Sequence, residues 1–463
     1  YNGAALGRIS YMSGRDYYNN FGSGTVSGAW GSLYSGMLPD IAAIEAQNGE
    51  DNLLAFHLGI SKAMAAHVMM GIVDSVGDIP WSQANNPTEF PSPSVDDDAD
   101  VYAAAVAMLD EAESYLNAAG GGDDLFYGGD SSKWMKFVNT LRMRAMLTTG
   151  DYAGALAQGG VIDTADADMQ FNYGTQELQP DTRHPWYQSD YTTSGANIYQ
   201  SSWLMDTMIG DINEWYTAPV GYPGIGNEED GAVQRAVQSD DPRRRYYFYR
   251  QQWITPGQAG MLYAFDAGPY VWPLSWGGNF EDTANGETLQ CSLQLQPFHL
   301  DFTEDGGDGT MVGRWCAGKL GYWGRHHGND EGIPPDNFTR TAVGVYPAGG
   351  SFDNQPDVPN YDNYGSLSGT NAGIKGAVWQ GNGGGGAGIW PIYLSSYVHF
   401  MKAEAAMWVG DVATARAMME IGMQHSFDKV LSMGSVDPDA DSNYFATATE
   451  VSDFISMLSL IHI

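Results

Sequence analysis

Positive charge is scarce in this sequence. Its 463 residues include 21 lysines and arginines, of which only seven are lysines, against 56 aspartates and glutamates, so the formal net charge is −35. Nucleic-acid binding depends on clustered lysines and arginines that displace counterions from phosphates, and the one basic run is Arg243–Arg245. The composition therefore predicts no nucleic-acid or other polyanionic partner.

Cysteines and catalytic motifs are also scarce. Cys291 and Cys316 are 25 residues apart, a spacing that fits no Cys-x-x-Cys metal or redox site; they form either one disulfide or two buried thiols. No His-Glu-x-x-His, nucleophile-elbow or Walker pattern is evident, and adjacent His326 and His327 would point apart on a strand. The sequence predicts no metal, no cofactor and no catalytic residue.

No long apolar run interrupts this polar composition. The longest uncharged stretch, residues 376–401, contains four consecutive glycines and Pro391, so it cannot be a continuous apolar span of about 20 residues. The sequence therefore predicts no transmembrane helix.

Helical periodicity marks both ends of the chain. Apolar residues recur at close to helical spacing over 52–73 and 101–116, and a third helix is predicted over 133–149, ending at Gly150. Near the other end, a helix is predicted from Pro391 to Gly410, with proline in its first turn, followed by one from 412 to about 425.

One segment of the first helical region is repeated in the second. Residues 144–155 align with residues 404–415, and each segment reads as a helix, a Gly-Asp turn and a helix with regularly spaced alanines. This pattern resembles tetratricopeptide-type hairpins, which bury their apolar faces by stacking on one another. The prediction is a mainly α protein.

The middle of the chain has a different texture. Residues 161–387 are rich in Gly, Trp, Tyr and Asp, with turn signals such as Pro-Pro-Asp and short strands at best. We interpret this segment as a loop-rich insertion between helical scaffold segments 30–160 and 388–457, all within one domain. Residues 458–463 match the translation of a reverse-complemented sequencing adapter, and we expect them to be a scar.

Several ordered motifs resemble the SusD/RagB family of nutrient-binding outer-membrane lipoproteins of Bacteroidota. They are a Gly-Asp-Ile-Pro-Trp segment, a Lys-Trp-x-Lys-Phe-x-Asn helix, an Asp-Pro-Arg turn, a His-Gly to Pro-Pro-Asp segment, and a closing hairpin, at residues 77–81, 133–139, 241–243, 327–336 and 403–426. The resemblance implies a SusD-like fold and no catalysis. It also implies capture of oligosaccharides, or in some members peptides, by a protein on the outer membrane that faces the cell surface.

The resemblance implies partners as well. A SusD-like protein delivers its ligand to a SusC-like TonB-dependent transporter and is attached to the membrane through an N-terminal lipid, on a cysteine that this sequence does not include. Three alternatives stay open at this stage. One is a peptide-binding member of the family, and another is an all-helical glycoside hydrolase whose catalytic carboxylates are hidden among the many acidic residues. The third is a purely structural lid that keeps its transporter closed without touching ligand.

A glycan site combines aromatic rings, which stack on the apolar faces of sugars, with polar groups that bind hydroxyls. The segment Arg183–Tyr191 has this mixture, and flanking glycines favour exposure of a tryptophan farther on. The resemblance adds tyrosines near the N-terminus, because the family's ligand site draws on that region. The candidate ligand-binding residues are Trp186, Tyr187, Tyr191, Trp276, Trp323, Arg325, Tyr17 and Tyr18.

Two further patterns are interpreted as structural. Asp437, Asp439 and Asp441 have the alternate spacing of a calcium loop, but Ser442 replaces the turn glycine and Ala448 the final glutamate, which favours an acidic turn. The glycine run 383–386 formally matches a dinucleotide fingerprint without the required strand and helix, so we predict a flexible connector.

Overall fold

The computed structural model describes residues 9–10, 22, 24–201, 204–205, 208, 241–251, 262–264, 271–273, 322, 324, 340–354 and 378–461. The chain divides into two compact units. The helical unit comprises Phe21–Phe171 and Pro391–Ser426, and the loop unit comprises Tyr1–Asn20, Asn172–Trp390 and Phe427–Ile463. This division groups residues 427–457 with the loop segment rather than with the predicted scaffold.

Helices dominate the described residues of the helical unit. In chain order they are α1 Ser27–Gly31, a π-helical turn Ser32–Met37, α2 Leu38–Gln47, α3 Ala55–Val76, α4 Asp98–Ala118, α5 Ser131–Thr149 and α6 Tyr152–Ala157, followed after the intervening loop unit by α9 Ser395–Trp408 and the start of α10 Val412–Ser432. The predicted mainly α, tetratricopeptide-like fold is confirmed.

The loop unit contains short elements. They are α7 Pro185–Asp190, α8 Arg244–Tyr247, β2 Phe248–Tyr249, β3 Leu262–Ala264, β4 Val271–Pro273, β5 Ala342–Val343 and α11 Ala448–Ile461. Strand β2 pairs antiparallel with β5, with Phe248 opposite Val343, and β3 pairs antiparallel with β4. The chain passes between the units within β1 Met169–Asn172 and β6 Ile389–Tyr393.

The helical unit is held together by close helix packing. Helix α3 packs on α4, α4 on α5, and α6 on both α5 and α9. A Cβ added to Gly59 of α3 would lie 2.7 Å from Cγ of Leu116 in α4, so glycine permits the two helices to approach closely. Helix α3 is long and apolar enough to cross a membrane by length and composition, but most of it is buried in this core.

The repeated Gly-Asp turns have the same geometry in both copies. Gly150 and Gly410 have φ of +86° and +81°, the left-handed conformation that glycine adopts without steric cost at a helix end. The following aspartates, Asp151 and Asp411, cap the next helices by accepting hydrogen bonds from the amides of Gly154 and Thr414 at 2.9 and 3.0 Å. In both copies of the predicted repeat, therefore, a glycine ends one helix and an aspartate caps the start of the next.

The Gly-Asp-Ile-Pro-Trp motif joins two helices. Gly77 ends α3 with φ +76°, and Asp96, just before α4, accepts hydrogen bonds from the amides of Trp81 and Ser82 at 2.7 and 3.0 Å. Asp97 then caps α4 by accepting from the amide of Ala99. The residues of this motif shape the connection between α3 and α4.

One detail of the predicted helices is wrong. Pro391 was predicted in the first turn of a helix, but it lies in β6, and α9 begins only at Ser395. The amide of Ser395 donates to Oδ1 of Asp168 at 2.6 Å. The carboxylate of Asp168 thus accepts the hydrogen bond of the first amide of α9, four residues after Pro391, and the helix begins there.

His67 should make the stability of the helical unit depend on pH. Its ring packs edge-on against Phe137 and Tyr393, with centroids 6.1 and 5.5 Å away. Burial, assisted by the positive charge of Arg144, lowers the pKa of His67 to about 4. In the unfolded chain the imidazole takes up a proton below about pH 6.5, so stability present above that pH is lost as the pH falls toward 4.

The test compares the wild type with His67→Phe, which keeps an aromatic ring among the same neighbours. We expect the free energy of unfolding of the wild type to fall between pH 7 and pH 4.5 by about 2 to 3 kcal/mol more than that of the variant. Urea titrations at several pH values measure both. Equal pH dependence in the two proteins would contradict the assignment.

Candidate functional site

The segment 183–191 was predicted to contact ligand, and two of its three aromatic candidates are covered. Tyr187 and Tyr191 are almost fully buried, and their rings stack with centroids 4.3 Å apart. Tyr191 donates its hydroxyl to the carbonyl of Val343 at 2.8 Å and accepts from the amide of Ser351 at 2.6 Å. Neither ring offers a face to a sugar, so we correct both assignments: these tyrosines support the surrounding loops.

The buried carboxylate of Asp190 accepts hydrogen bonds from two backbone segments. Its Oδ1 accepts from the amide of Ile198 at 2.6 Å and its Oδ2 from that of Val343 at 2.8 Å. Complete burial raises the pKa of Asp190 to about 7, although both backbone amides and the charge of Arg340 favour the ionised form. Helix α7 is thereby tied to strand β5.

The glycine run 383–386 is packed, contrary to the predicted flexible connector. The amides of Gly384 and Gly386 donate to the carbonyls of Gly350 and Gly349, both at 3.0 Å. The hydroxyl of Tyr187 donates to the carbonyl of Asn382 at 2.8 Å. Glycines are needed here because the backbones of two loops lie in contact, with no space for side chains between them.

An aromatic cluster borders this loop. His184 stacks on Trp390 with centroids 5.7 Å apart, and Trp186 meets Trp390 edge-on at 6.5 Å. Burial lowers the pKa of His184 to about 4, so this ring is neutral at physiological pH; its Nδ1 accepts from the amide of Trp186 at 3.1 Å and starts α7. Trp186 is partly buried, whereas Trp390 is exposed.

A polar cavity of about 150 Å³ is lined in part by Gly383 of the glycine run and by Tyr249 of β2. Its walls combine amide, hydroxyl and carboxylate groups with a few apolar side chains; they are Tyr249, Ser351, Phe352, Asn354, Val378, Asn382, Gly383, Asp437 and Asp439. Residue Trp379 directly follows the wall residue Val378, and its side chain is 53% exposed. An exposed tryptophan thus lies next to a wall residue of the cavity along the chain.

Two of the polar groups of the cavity are committed to the fold. Asp437 accepts from the amides of Phe352 and Asp439 at 2.7 and 2.9 Å. Asn354 donates to the carbonyl of Asp439 and accepts from the amide of Asp441, at 2.8 and 2.7 Å. The alternate aspartates 437, 439 and 441 thus form a turn that is pinned to loop 351–354.

Two other polar groups are available for a ligand. The side-chain oxygen of Asn382 accepts from the amide of Trp379 at 2.6 Å, which fixes the orientation of the amide group. Within the described part of the chain, its Nδ2 donates no hydrogen bond and the carboxylate of Asp439 accepts none. The walls of the cavity therefore include one free donor and one free acceptor, the kinds of group that bind saccharide hydroxyls.

Sequence reasoning missed Trp379 and Trp390. The available signal was the polar Gln380-Gly381-Asn382 turn after Trp379, which resembles the mixture of ring and amide used to select other candidates. The remaining predictions, Trp276, Trp323, Arg325, Tyr17 and Tyr18, lie outside the described residues, as do both cysteines and the His326–His327 pair.

Comparison with solved structures supports the fold. A SusD homologue from Bacteroides fragilis superposes with TM-score 0.52 and 12% identity, covering 98% of this chain and 74% of that one. A structure described as a chitin-binding protein gives TM-score 0.51 and 18% identity, with coverage of 100% and 80%. A chitin-binding SusD homologue from Flavobacterium johnsoniae gives 0.47 and 14%, and the chain, with 87% of its length matched, spans only 58% of that protein.

Two comparisons of the sequence gave different results. No curated protein matches the chain. A family model of SusD-like proteins, described as starch-binding and associating with the outer membrane, matches residues 8–268, which is more than half of the chain. The protein therefore belongs to the SusD-like family of outer-membrane-associated glycan-binding proteins.

Proposed function

We propose that this protein captures oligosaccharides at the cell surface without transforming them and delivers them to a SusC-like TonB-dependent transporter. The observation that carries the proposal is the polar cavity that Val378 and Asn382 line on either side of Trp379 in the sequence, where Nδ2 of Asn382 and the carboxylate of Asp439 have no hydrogen-bond partner among the described residues. Membership of a glycan-binding family gives this arrangement its interpretation. The chitin-binding description of one structural neighbour is consistent with a polysaccharide ligand.

In this proposal an exposed tryptophan face receives a sugar ring while the cavity takes the hydroxyls. Exposed Trp390 and partly buried Trp186 form a second aromatic surface on the loop unit. The undescribed candidates Trp276, Trp323, Arg325, Tyr17 and Tyr18 remain part of the proposed ligand-binding set. Several rings spaced along a chain allow an oligosaccharide to be held without a deep cleft.

Affinity electrophoresis against a panel of plant and marine polysaccharides tests the proposal directly. We expect retardation by at least one glycan and no release of reducing ends during incubation. Release of reducing ends would instead establish a glycoside hydrolase, and retention of peptides without any glycan would favour the peptide-binding alternative. Either result would contradict the proposal.

Replacing Trp379 should weaken binding of the retained glycan. We expect Trp379→Ala to reduce affinity about tenfold, because an aromatic contact contributes on the order of 1 kcal/mol beyond the area that it buries. The matched control is Trp408→Ala, which removes an exposed tryptophan of α9 in the helical unit, where it stacks on Tyr152. Isothermal titration calorimetry measures both. Equal affinities for the two variants would remove Trp379 from the site.

Delivery to a transporter needs a separate test. Co-expression of the chain with the transporter encoded beside its gene, followed by affinity purification, should recover both proteins in equal amounts. A Trp379→Ala variant should still co-purify, because the proposed ligand site and transporter association are separate properties. Recovery of the chain alone would contradict the delivery step while leaving glycan capture intact.

A further inference from the structure

The walls of the cavity carry negative charge and no described positive charge. Asp437 and Asp439 both line it, whereas none of the wall residues that the structure describes is lysine, arginine or histidine. Asp437 is 4% exposed, and its oxygens accept backbone amides, so its charge is fixed in place. Asp439 is exposed.

Charge in a recess acts on a ligand more strongly than charge on an open surface. Two like charges a few ångströms apart near a protein surface repel strongly, since the effective dielectric constant there is about 20 rather than about 80. The net charge of −35 adds a long-range contribution of the same sign. A carboxylate or sulfate on a sugar at this position would meet two aspartates with no described cation between them.

We infer that the cavity selects saccharides by charge: it accepts neutral and amine-bearing sugars and rejects uronates and sulfated sugars. The inference rests on the proposed function and specifies the ligand class of the same site. Both an ammonium group and a neutral hydroxyl can donate to the free carboxylate of Asp439, but only the ammonium group adds the attraction between opposite charges. The expected order of affinity is amine-bearing, then neutral, then anionic.

The test uses ligands that share one backbone and differ in one substituent. Cellohexaose, chitohexaose and the deacetylated glucosamine hexamer carry hydroxyl, acetamide and ammonium groups at the same carbon; mannohexaose and hexamannuronate differ only at C6. Each neutral glycan retained in affinity electrophoresis is likewise paired with its oxidised or sulfated derivative. In low salt, we expect every anionic glycan to bind at least about tenfold more weakly than its neutral counterpart. This difference in affinity should become smaller in 0.5 M NaCl, where the Debye length falls to about 4 Å.

Two variants separate the cavity from the overall charge. Asp439→Asn and Asp51→Asn change the net charge equally, and Asp51 is an exposed residue of the helical unit. Asp439→Asn should reduce the ratio of the affinities for neutral and anionic glycans at least threefold, and it should lower the affinity for the amine-bearing hexamer. Asp51→Asn should change neither affinity ratio nor affinity.

The outcomes distinguish this inference from the proposed function. An anionic glycan bound as tightly as its neutral partner, or equal effects of the two variants, would overturn charge selection by the cavity and leave glycan capture standing. Failure to bind any glycan of the panel would overturn the proposed function, and the inference with it.

Discussion

Asp353→Ala should destabilise the loop unit by about 3 to 5 kcal/mol, the usual cost of leaving one partner of a buried ion pair unmatched. Asp353 is completely buried, and its Oδ2 accepts from Nε of Arg250 at 2.7 Å and from the hydroxyl of Tyr322 at 2.8 Å. A second buried guanidinium, that of Arg244, donates to the same tyrosine hydroxyl. Without the carboxylate, two buried cations would face each other across Tyr322.

The matched control removes a carboxylate from an exposed ion pair. Glu420 binds Arg416 one turn away on α10 at 2.9 Å, with both side chains well exposed, and such pairs contribute about 0.5 kcal/mol or less. Glu420→Ala should therefore leave stability nearly unchanged. Urea unfolding followed by tryptophan fluorescence measures both variants, and a loss below 1 kcal/mol for Asp353→Ala would show that the cluster around Tyr322 is not essential.

The helical unit was predictable because its signals are local. Apolar spacing, the acidic residues before α4 and the Gly-Asp turns each act within a few residues of the element that they define, and the structure has the corresponding caps at Asp97, Asp151 and Asp411. The prediction for Pro391 is wrong because a proline suits both a helix start and an edge of a short strand. The distant acceptor Asp168 decides where α9 begins.

The site was less predictable because exposure of a ring depends on contacts far apart in sequence. Tyr187 and Tyr191 have the residue types of a glycan site, yet their hydroxyls bind loops about 150 to 195 residues away, and this covers the rings. Their spacing of four residues did contain one usable signal: Tyr187 in α7 and Tyr191 directly after it are about one helical turn apart, so their rings can stack on each other. Trp379 is exposed for the complementary reason, since its backbone amide, rather than its ring, makes the contact with Asn382.

The glycine run shows the same dependence on distant partners. By composition, four consecutive glycines favour flexibility, because glycine loses the most conformational freedom on folding. Here that cost is offset by backbone contacts that only glycines permit on both sides: Gly349 and Gly350 in one loop face the run 383–386 in the other. Composition alone cannot distinguish a linker from such an interface, since the partner glycines lie more than 30 residues away.

Gly383→Ala should therefore be among the most damaging single substitutions in the loop unit. Its φ is +61°, and an added Cβ would lie 2.2 Å from the carbonyl carbon and oxygen of Gly350 and 2.4 Å from the nitrogen of Ser351. These are backbone atoms, so no side chain can rotate away and the two loops must separate. The hydrogen bond from Gly384 to Gly350 would then lengthen from 3.0 Å, and the wall of the cavity that Gly383 and Ser351 share would open.

The control is Gly381→Ala, two residues earlier in the same loop. Gly381 also has a left-handed conformation, with φ +88°, but no atom lies within 4 Å of an added Cβ. Gly381→Ala should lower the free energy of unfolding by only the conformational penalty of about 1 to 2 kcal/mol. Gly383→Ala should lower it by at least about 2 kcal/mol more and should abolish glycan binding as well. Urea unfolding and calorimetric titration of both variants measure this difference. Equal losses would mean that the loops tolerate separation, in which case the glycines serve conformation alone and the cavity does not depend on their close packing.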